Sequence, residues 1–303
     1  MNYPKVSIII LNWNGLKDTI ECLESLKKIT YSNYNVTVVD NGSKGNDADV
    51  LGEKYKDYVK LIKNKENLGF CGGNNAGIRK AIKNGSDYVL LLNNDTTVES
   101  NFLDELIKIT LREKKVAIIG SVIADYYTKK ITFTNSKVDK KLKAEIRLDY
   151  LNSDKDWWET ERVHGASMML RVEYLLKYSL FLDEDLFMYC DEIDLCLRAK
   201  RNGLKILMAG RSKVYHKREF PLDKVLKPEN VYYIVRNRIL LVKKLLNLEE
   251  KITFWILFIP ARLFRCAEWL LKRRFELIKM TFLAFKDGTK ERTGKINQHR
   301  VNH

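Results

Sequence analysis

Cysteine is scarce in this chain, and the few that occur do not form a recognisable set. The 303 residues include five cysteines, an odd number, and no two of them stand at CxxC spacing. Zinc sites need clustered thiols and disulfide frameworks need paired ones, so the sequence favours reduced cysteines in a cytoplasmic protein. The chain also opens without a basic, apolar and small-residue signal sequence, which fits that expectation.

Long apolar runs and the common phosphate-binding motifs are absent as well. In the C-terminal part the longest uncharged run, Ile252 to Ala261, has ten residues and contains Pro260. A transmembrane helix needs about 20 apolar residues, so we expect no membrane span. Neither GxGxxG nor GxxxxGKS/T occurs, which excludes the two usual phosphate-binding loops.

Positive charge is unevenly distributed along the chain. The net charge is +15, and residues 217–303 carry 20 Lys and Arg against 9 Asp and Glu, which is +11 of that total. A basic tail on a nearly neutral body predicts contact with an anionic membrane surface or a nucleic acid. The alternative is that the charged residues only form the solvated surface of helices. No helix-turn-helix, RRM, KH or zinc-finger pattern accompanies it, so we expect no nucleic acid.

Strands and helices alternate through the first hundred residues. Four apolar runs bounded by polar turns indicate buried strands, at 6–11, 36–39, 59–62 and 88–92. With the helical patterns between them, they predict right-handed βαβ units and an α/β, doubly wound, mostly parallel sheet. We expect this Rossmann-like domain to span residues 1–225. In residues 226–303, apolar residues interleaved with Lys and Arg predict a basic amphipathic helical extension.

Acidic residues stand at predicted strand ends or helix starts, namely Asp40, Asp95 and the pair Asp191–Glu192. The carboxyl ends of strands form the ligand-binding edge of an open α/β sheet, where carboxylates can bind a nucleoside or a divalent cation. The Asn- and Gly-rich stretch 67–77, before a predicted helix, suits an anionic ligand. Taken singly, each acid is as well explained as a turn former or a helix N-cap.

Several motifs occur together, in a fixed order, over residues 4–245. They are VSIIILNWN at 6–14, VDNGS at 39–43, NLGF at 67–70 with GNN at 73–75, LNND at 92–95 and DEIDLCLR at 191–198. In this combination the chain resembles the family 2 glycosyltransferases, and within them the rhamnosyltransferase-like branch. The resemblance implies a GT-A fold and an inverting transfer of a sugar from a nucleotide diphosphate, with Mg²⁺ or Mn²⁺ as cofactor.

The resemblance also implies which residues bind the nucleotide-sugar. Asp40 would contact the pyrimidine base. The other residues that would line the pocket are Leu11, Asn12, Trp13, Asn67, Gly69 and Asn75. The family's metal-binding motif falls on Asn93, Asn94 and Asp95, so that two amides stand where the family has acids.

Metal and acceptor positions follow from the same resemblance. Asp95 would bind the metal that bridges the two phosphates, and His216 matches the family's late metal-site histidine. An ordinary surface histidine is an equally good explanation of His216. Gly165 and Ala166 match the small residues that face the acceptor sugar.

Glycosyl transfer also needs a general base that takes the proton of the acceptor hydroxyl. The resemblance implies an acidic pair at the start of a helix, in the order Glu–Asp, whereas this chain has Asp191–Glu192. Either residue is a candidate catalytic base. Ordinary acids in the first turn of a helix are the alternative explanation.

Together these features predict an inverting glycosyltransferase that is cytoplasmic and peripheral at the inner face of the cell membrane. Its expected partners are a dTDP- or UDP-sugar, a glycan or polyprenyl-linked acceptor, an anionic membrane surface and, in a homodimer, a second copy. Two alternative hypotheses are a sugar-nucleotide-binding relative without turnover and a nucleic-acid-binding protein that uses the basic tail. Titration with sugar nucleotides and measurement of product separate the three.

Overall fold

A computed structural model describes residues 3–138, 145–147, 155–217 and 227–297. The chain divides into two compact units. The first comprises Met1–Lys137, Arg147–Leu182 and Glu192–Arg218, and the second comprises Val138–Ile146, Asp183–Asp191 and Glu219–His303. The second unit therefore takes in two short internal segments, residues 138–146 and 183–191, besides the C-terminal helices.

The first unit is built on one mixed β-sheet. In chain order the strands are β1 (Val6–Asn12), β2 (Tyr34–Asp40), β3 (Val59–Lys63), β4 (Tyr88–Asn93), β5 (Thr96–Val98), β6 (Val116–Asp125), β7 (Ile131–Phe133), β8 (Ser136–Val138), β9 (Glu145–Arg147), β10 (Trp157–Glu159), β11 (Ser167–Arg171) and β12 (Lys205–His216). The sheet order is β10-β12-β6-β11-β4-β1-β2-β3, with β5 beside β12 and β7 beside β6. Strands β8 and β9 form a separate two-stranded sheet.

The parallel half of the sheet contains the four strands predicted from the apolar runs. β1 pairs in parallel with both β2 and β4, and β2 pairs in parallel with β3. Beyond β4, β11 runs antiparallel between β4 and β6, and β12 runs parallel to β6. The predicted α/β architecture with a mostly parallel central sheet is confirmed.

Six α-helices of the described ranges connect these strands, and the sixth begins at Asp191, the last residue of an internal segment of the second unit. They are α1 (Leu16–Leu26), α2 (Asp47–Lys54), α3 (Gly69–Lys83), α4 (Phe102–Arg112), α5 (Val172–Lys177) and α6 (Asp191–Arg201). Helix α3 begins at Gly69, although the stretch 67–77 suggests a glycine-rich loop that precedes a helix. An added Cβ would lie 2.5 Å from Ile9 Cγ2 at Gly77 and 2.4 Å from Leu11 Cδ1 at Gly73. These glycines therefore serve close packing of α3 on β1 rather than an open phosphate loop.

Two strand boundaries also differ from the sequence pattern. Apolar runs at 204–208 and 213–216 predict two strands, but both belong to β12, which shifts register between Ala209 and Lys213. The run 163–170 predicts one strand, and the structure begins β11 only at Ser167. A register shift interrupts the apolar pattern without ending the strand, so periodicity alone divides it.

Three helices form the core of the second unit: α7 (Pro228–Leu245), α8 (Leu248–Leu271) and α9 (Phe275–Thr289). Phe254, Phe258 and Trp269 of α8 are buried with apolar residues of α7 and α9. The pattern over 251–285 predicts one helical stretch, but α8 ends before Arg273, whose φ of +54° turns the chain. In the described ranges, no helix combines the length and apolar character that crossing a bilayer requires.

Replacing Gly77 by Ala tests the close packing of α3. The added Cβ would overlap Ile9, so we expect the free energy of unfolding to fall by about 1–3 kcal/mol, as in other overpacked cores. Urea denaturation measures the change. Gly45→Ala is the control, because its Cβ would stand 3.6 Å from its nearest neighbour, Asp47 Oδ1, which is ordinary van der Waals contact. Equal stability of the two variants would contradict the packing argument.

Candidate active site

The pairing of β1 brings predicted site residues to one edge of the sheet. Asn12 ends β1 and lies opposite Asp40, which ends β2, while Leu11 lies opposite Asn93 at the end of β4. On the other side of β4, the N–H of Asn93 donates a 3.1 Å hydrogen bond to the carbonyl of Ala166. Residues predicted for the nucleotide, metal and acceptor positions therefore share the carboxyl edge of the parallel strands.

Buried polar neighbours hold the Asp40 carboxylate. One of its oxygens accepts hydrogen bonds from the Asn12 amide at 2.9 Å and from the Ser43 hydroxyl at 2.6 Å. The same amide nitrogen of Asn12 lies 3.0 Å from Asp47, and its oxygen accepts a bond from Thr19 at 2.7 Å. Because Asn12 is fully buried, its side chain orients two carboxylates and does not form an open wall of the pocket.

Trp13 and Leu11 lie on either side of Asn12 and differ in exposure. The Trp13 side chain is 52% exposed directly beyond β1. Leu11 is partly buried and packs against α3 at Gly73. An exposed indole close to a carboxylate can stack on a flat ring while the carboxylate accepts hydrogen bonds from that ring.

A second buried amide, Asn41, organises the start of α3. Its nitrogen donates to Asn67 Oδ1 at 3.1 Å and to the Gly69 carbonyl at 3.0 Å, and Asn67 Oδ1 also accepts from the Gly69 N–H at 2.8 Å. Gly42 has a φ of +72°, and a Cβ there would lie 2.6 Å from the Glu66 backbone. The VDNGS motif contains Asn41, but nothing in the sequence shows that its amide reaches α3.

Asn75 makes a backbone contact within the first unit. Its amide nitrogen donates to the Leu182 carbonyl at 2.8 Å, and its oxygen accepts from the Leu182 N–H at 3.1 Å. The side chain is buried. Asn75 therefore ties α3 to the segment that contains Leu182, a role that the pocket assignment from the resemblance does not include.

The two amides before Asp95 lie against different partners. Asn94 donates to the Thr19 hydroxyl at 3.0 Å, and a Cβ on Gly15 would lie 2.4 Å from its amide nitrogen. Asn94 therefore packs on the turn before α1. Asn93 contributes its backbone to the sheet, where its carbonyl accepts a 2.7 Å hydrogen bond from the Thr96 hydroxyl.

Asp95 and His216 form a pair at the same edge. The antiparallel pairing of β5 with β12 places His216 opposite Thr96, and His216 Nε2 lies 3.1 Å from Asp95 Oδ1. Burial opposes ionisation of Asp95, but the hydrogen bond and charge of His216 outweigh it and hold the pKa of Asp95 below its usual range. The ring of His164 stands 5.6 Å from that of His216. Nothing in the sequence singles out His164, because only the fold brings it beside β12.

The Asp95–His216 pair is the candidate metal site. Within the part of the chain that the structure describes, no group of three or more His, Cys, Asp or Glu side chains is arranged to hold a metal ion. Mg²⁺ is commonly held by one or two carboxylates, with substrate phosphates and waters as the other ligands. One carboxylate and one imidazole therefore fit an ion that binds together with a diphosphate.

The acidic pair at the start of α6 has two different environments. The Gly165 N–H donates to Glu192 Oε1 at 3.2 Å, and a Cβ on residue 165 would lie 2.6 Å from that oxygen. Glycine at this position therefore leaves room for the carboxylate. Glu192 is partly exposed, whereas Asp191 is only 2% exposed. The structure brings Glu192 to the Gly165–Ala166 turn, whose carbonyl pairs with Asn93.

Comparison with models of known protein families identifies the family of this chain. A family model described as glycosyl transferase family 2 matches residues 7–179, which is more than half of the chain. The chain belongs to glycosyl transferase family 2. The matched region runs from β1 to just beyond α5 and includes Asp40, Asp95 and Gly165.

Two sequence relatives extend this finding. The low-salt glycan biosynthesis hexosyltransferase Agl10 of Haloferax volcanii is 24% identical over 293 residues, covering 96% of this chain and 92% of that protein. Glycosyltransferase GlyG of Streptococcus pneumoniae is 26% identical over 124 residues, covering 40% of this chain and 39% of that protein. The similarity to Agl10 includes the C-terminal helices as well as the sheet.

Solved structures confirm the GT-A fold. GalNAc-T7, crystallised with UDP, GalNAc and Mn²⁺, superposes with a TM-score of 0.66 at 16% identity, covering 80% of this chain and 48% of that chain. S. aureus TarS 1–349, in complex with UDP-GlcNAc, superposes with a TM-score of 0.62 at 18% identity, covering 98% of this chain and 83% of that chain. The present chain thus spans about half of GalNAc-T7. These relatives do not single out the rhamnosyltransferase-like branch, which stays a prediction.

A partly exposed ion-pair cluster lies next to the Asp95–His216 pair. Lys217 follows His216, its N–H donates to the Asp95 carbonyl, and its ammonium lies 2.8 Å from Asp18 and 2.5 Å from Glu21. Burial disfavours the ammonium, but the two carboxylates raise the pKa of Lys217. In turn, the hydrogen bond from Lys217 lowers the pKa of Glu21. Asp18, in the first turn of α1, is therefore an ion-pair partner of Lys217.

Lys217→Met is expected to destabilise the protein in a pH-dependent way. The loss should be about 1 kcal/mol near neutral pH, because both carboxylates are partly exposed. The raised pKa of Lys217 adds stability below about pH 10, and the lowered pKa of Glu21 adds stability above about pH 4. The difference in unfolding free energy between wild type and Lys217→Met should therefore become smaller at both acid and alkaline pH. Denaturation measured across pH checks this. Lys28→Met, at an exposed lysine, is the control, and a gap independent of pH would contradict the assignment.

Proposed function

We propose that this protein is an inverting glycosyltransferase that moves a sugar from a dTDP- or UDP-sugar to a hydroxyl of a glycan or lipid-linked acceptor. The observation that carries the proposal is the meeting of three groups at one sheet edge. Asp40 with its amide support lies at the end of β2, the Asp95–His216 pair lies just beyond β4, and Glu192 lies beside Gly165, just before β11. UDP-GlcNAc in the TarS structure and UDP in the GalNAc-T7 structure support the donor class.

The nucleotide end of the donor would bind at β1 and β2. Asp40 is preorganised by Asn12 and Ser43, so its remaining acceptor capacity suits the N–H group of a uracil or thymine ring. The exposed Trp13 ring offers a stacking surface next to it. The Asn67–Gly69 corner, fixed by Asn41, would border the nucleoside on the α3 side.

A divalent metal ion would be held by Asp95 and His216. When bound, Mg²⁺ or Mn²⁺ neutralises charge on the diphosphate leaving group. The low pKa of Asp95 keeps its carboxylate ionised and ready to coordinate. GalNAc-T7 was crystallised with Mn²⁺ together with UDP, which agrees with a metal that accompanies the nucleotide.

Glu192 is the proposed general base. Its carboxylate is partly exposed and is oriented by the Gly165 N–H, whereas Asp191 is buried. A base must reach the acceptor hydroxyl, so the exposed carboxylate suits the role better. Glu192 would take the hydroxyl proton as that oxygen attacks the anomeric carbon, from the face opposite the departing diphosphate. This direction of attack inverts the configuration of the sugar.

Donor and metal assays test the proposed reaction. We expect transfer or donor hydrolysis with one member of a UDP-, dTDP- and GDP-sugar panel, stopped by EDTA and restored by Mn²⁺ or Mg²⁺. Asp95→Asn should weaken metal-dependent turnover. Glu192→Gln should lower kcat by about 10²–10⁴-fold and leave donor binding unchanged, because general-base catalysis contributes that much.

Controls separate the alternative hypotheses. Glu173→Gln, at an exposed acid of α5, should have wild-type activity. If Asp191→Asn lost transfer activity while Glu192→Gln kept it, Asp191 would be the general base instead of Glu192. Sugar-nucleotide binding without turnover across an acceptor panel would favour the inactive relative, and no binding at all would contradict the glycosyltransferase proposal.

Helix α8 supports the expected contact with a membrane surface. Its exposed apolar side chains recur at helical spacing, at Ile252, Ile256, Ile259, Leu263 and Leu270, with Leu257, Phe264 and Leu271 beside them. Exposed apolar faces of this kind mark interaction surfaces. Exposed Lys272 and Arg273 follow directly, in a region that carries +11.

Charge favours an anionic lipid surface as the partner of this face. Basic amphipathic helices bind anionic membranes by burying apolar side chains while their cations contact the headgroups. A second copy would bring the same positive charge to the contact and be repelled. We therefore propose peripheral binding at the inner face of the cell membrane, where a polyprenyl-linked acceptor would be accessible.

Leu263→Glu should weaken binding to vesicles of phosphatidylglycerol and phosphatidylcholine by about tenfold or more, because one buried leucine contributes about 1.5–3 kcal/mol. Co-sedimentation measures the binding, and neutral vesicles should bind less. The matched control is Leu111→Glu, at an equally exposed leucine of α4. No vesicle binding, with a dimer in light scattering that Leu263→Glu dissociates, would assign this face to a second copy.

A further inference from the structure

The loop that leads into the acidic pair has an unusual backbone. Phe187, Tyr189 and Cys190 have φ values of +62°, +65° and +64°, and the next residue is Asp191. None of the three is glycine, so each backbone conformation is strained and persists only where surrounding contacts hold it. The chain therefore enters α6 through a strained loop, which we define as residues 185–190.

Asn237 of α7 binds this loop at three carbonyl groups. Its amide nitrogen lies 2.9 Å from the Leu186 oxygen, 2.7 Å from that of Met188 and 2.9 Å from that of Tyr189. Asn237 is fully buried. The three carbonyls belong to one of the strained residues and to two residues next to them. The amide can therefore bind all three only while the loop keeps this conformation.

Arg236 binds the same loop and orients Asn237. Its Nη2 lies 3.0 Å from the Leu186 oxygen and 3.2 Å from that of Asp185, and its Nη1 donates to the Gly294 carbonyl at 2.6 Å. Its Nε donates to Asn237 Oδ1 at 2.9 Å, which turns the Asn237 nitrogen toward the loop. Arg236 is completely buried, so it is not a solvated surface charge.

Stability alone does not explain a guanidinium in this place. Burying a charge is costly, and apolar residues of similar volume are often as good or better for stability. Arg236 instead stacks near Tyr232 and Tyr233, at 5.3 and 5.0 Å from the ring centres, and uses its fixed fork of donors on backbone carbonyls. Such a fork specifies one loop geometry, which an apolar side chain would not.

We propose that Arg236 and Asn237 are positioning residues for the general base. They hold the strained loop 185–190 and thereby set the direction in which the chain enters α6 at Asp191 and Glu192. This inference rests on the proposed function, in which one of these carboxylates takes the acceptor proton. Small displacements of a catalytic group are costly, since a misplacement of about 1 Å can lower the rate by about 10²-fold.

Two variants remove the anchoring groups with different effects on charge. In Asn237→Ala and Arg236→Met we expect kcat for transfer or donor hydrolysis to fall by about 10- to 100-fold. The affinity for the sugar nucleotide, measured by calorimetry, should stay within about twofold, because its proposed site lies on β1, β2 and α3. Hydrogen exchange of residues 185–192 should accelerate by about tenfold or more. Arg236→Lys, which keeps the charge, provides a second test if Arg236→Met does not fold.

Matched controls come from the same helix. Asn230→Ala and Lys243→Met remove an amide and a charge from α7 outside the loop contact, and both should keep wild-type kcat and exchange rates in 185–192. A wild-type kcat in Asn237→Ala and in Arg236→Met would overturn the positioning role. A wild-type protein without turnover on any donor would overturn the proposed function, and the exchange rates would still report whether the anchor holds the loop.

Discussion

The parallel pairing of β1 with both β2 and β4 is the constraint on which the candidate site depends. Polar residues follow the last apolar positions of all three strands, so this pairing collects them at one edge of the sheet. Close packing of α3 keeps the arrangement in place. A side chain at Gly73 would displace Leu11, and with it the strand end that supports Asp40 through Asn12.

Neutral amide side chains in both units hold the groups on which the proposed chemistry depends. Asn12 orients Asp40, Asn41 fixes the start of α3, and Asn237 holds the loop before α6. An amide donates and accepts hydrogen bonds, so it can bind a carboxylate or a carbonyl without placing another ion in a buried position. These amides therefore position their partners without adding a charge at the buried contacts.

Local patterns predicted the parallel strands well because strands buried on both faces appear as continuous apolar runs between polar turns. They failed where tertiary packing overrides composition. The stretch 67–77 is rich in glycine, yet α3 begins at Gly69, because those glycines are needed against Ile9 and Leu11. Likewise, Arg236 belongs to a strongly basic part of the chain, and only the packing of α7 shows that it is buried.

The sequence by itself determined the family, the succession of the parallel strands along the chain and the acids at their ends. Short motifs and apolar periodicity encode these features locally. The tertiary structure alone decided which neighbours each of these groups has. Asn75 binds Leu182 across 107 residues, Arg236 binds Leu186 across 50, and β5 brings His216 to Asp95. Such contacts depend on how distant elements pack, and no periodicity within a single element specifies that packing.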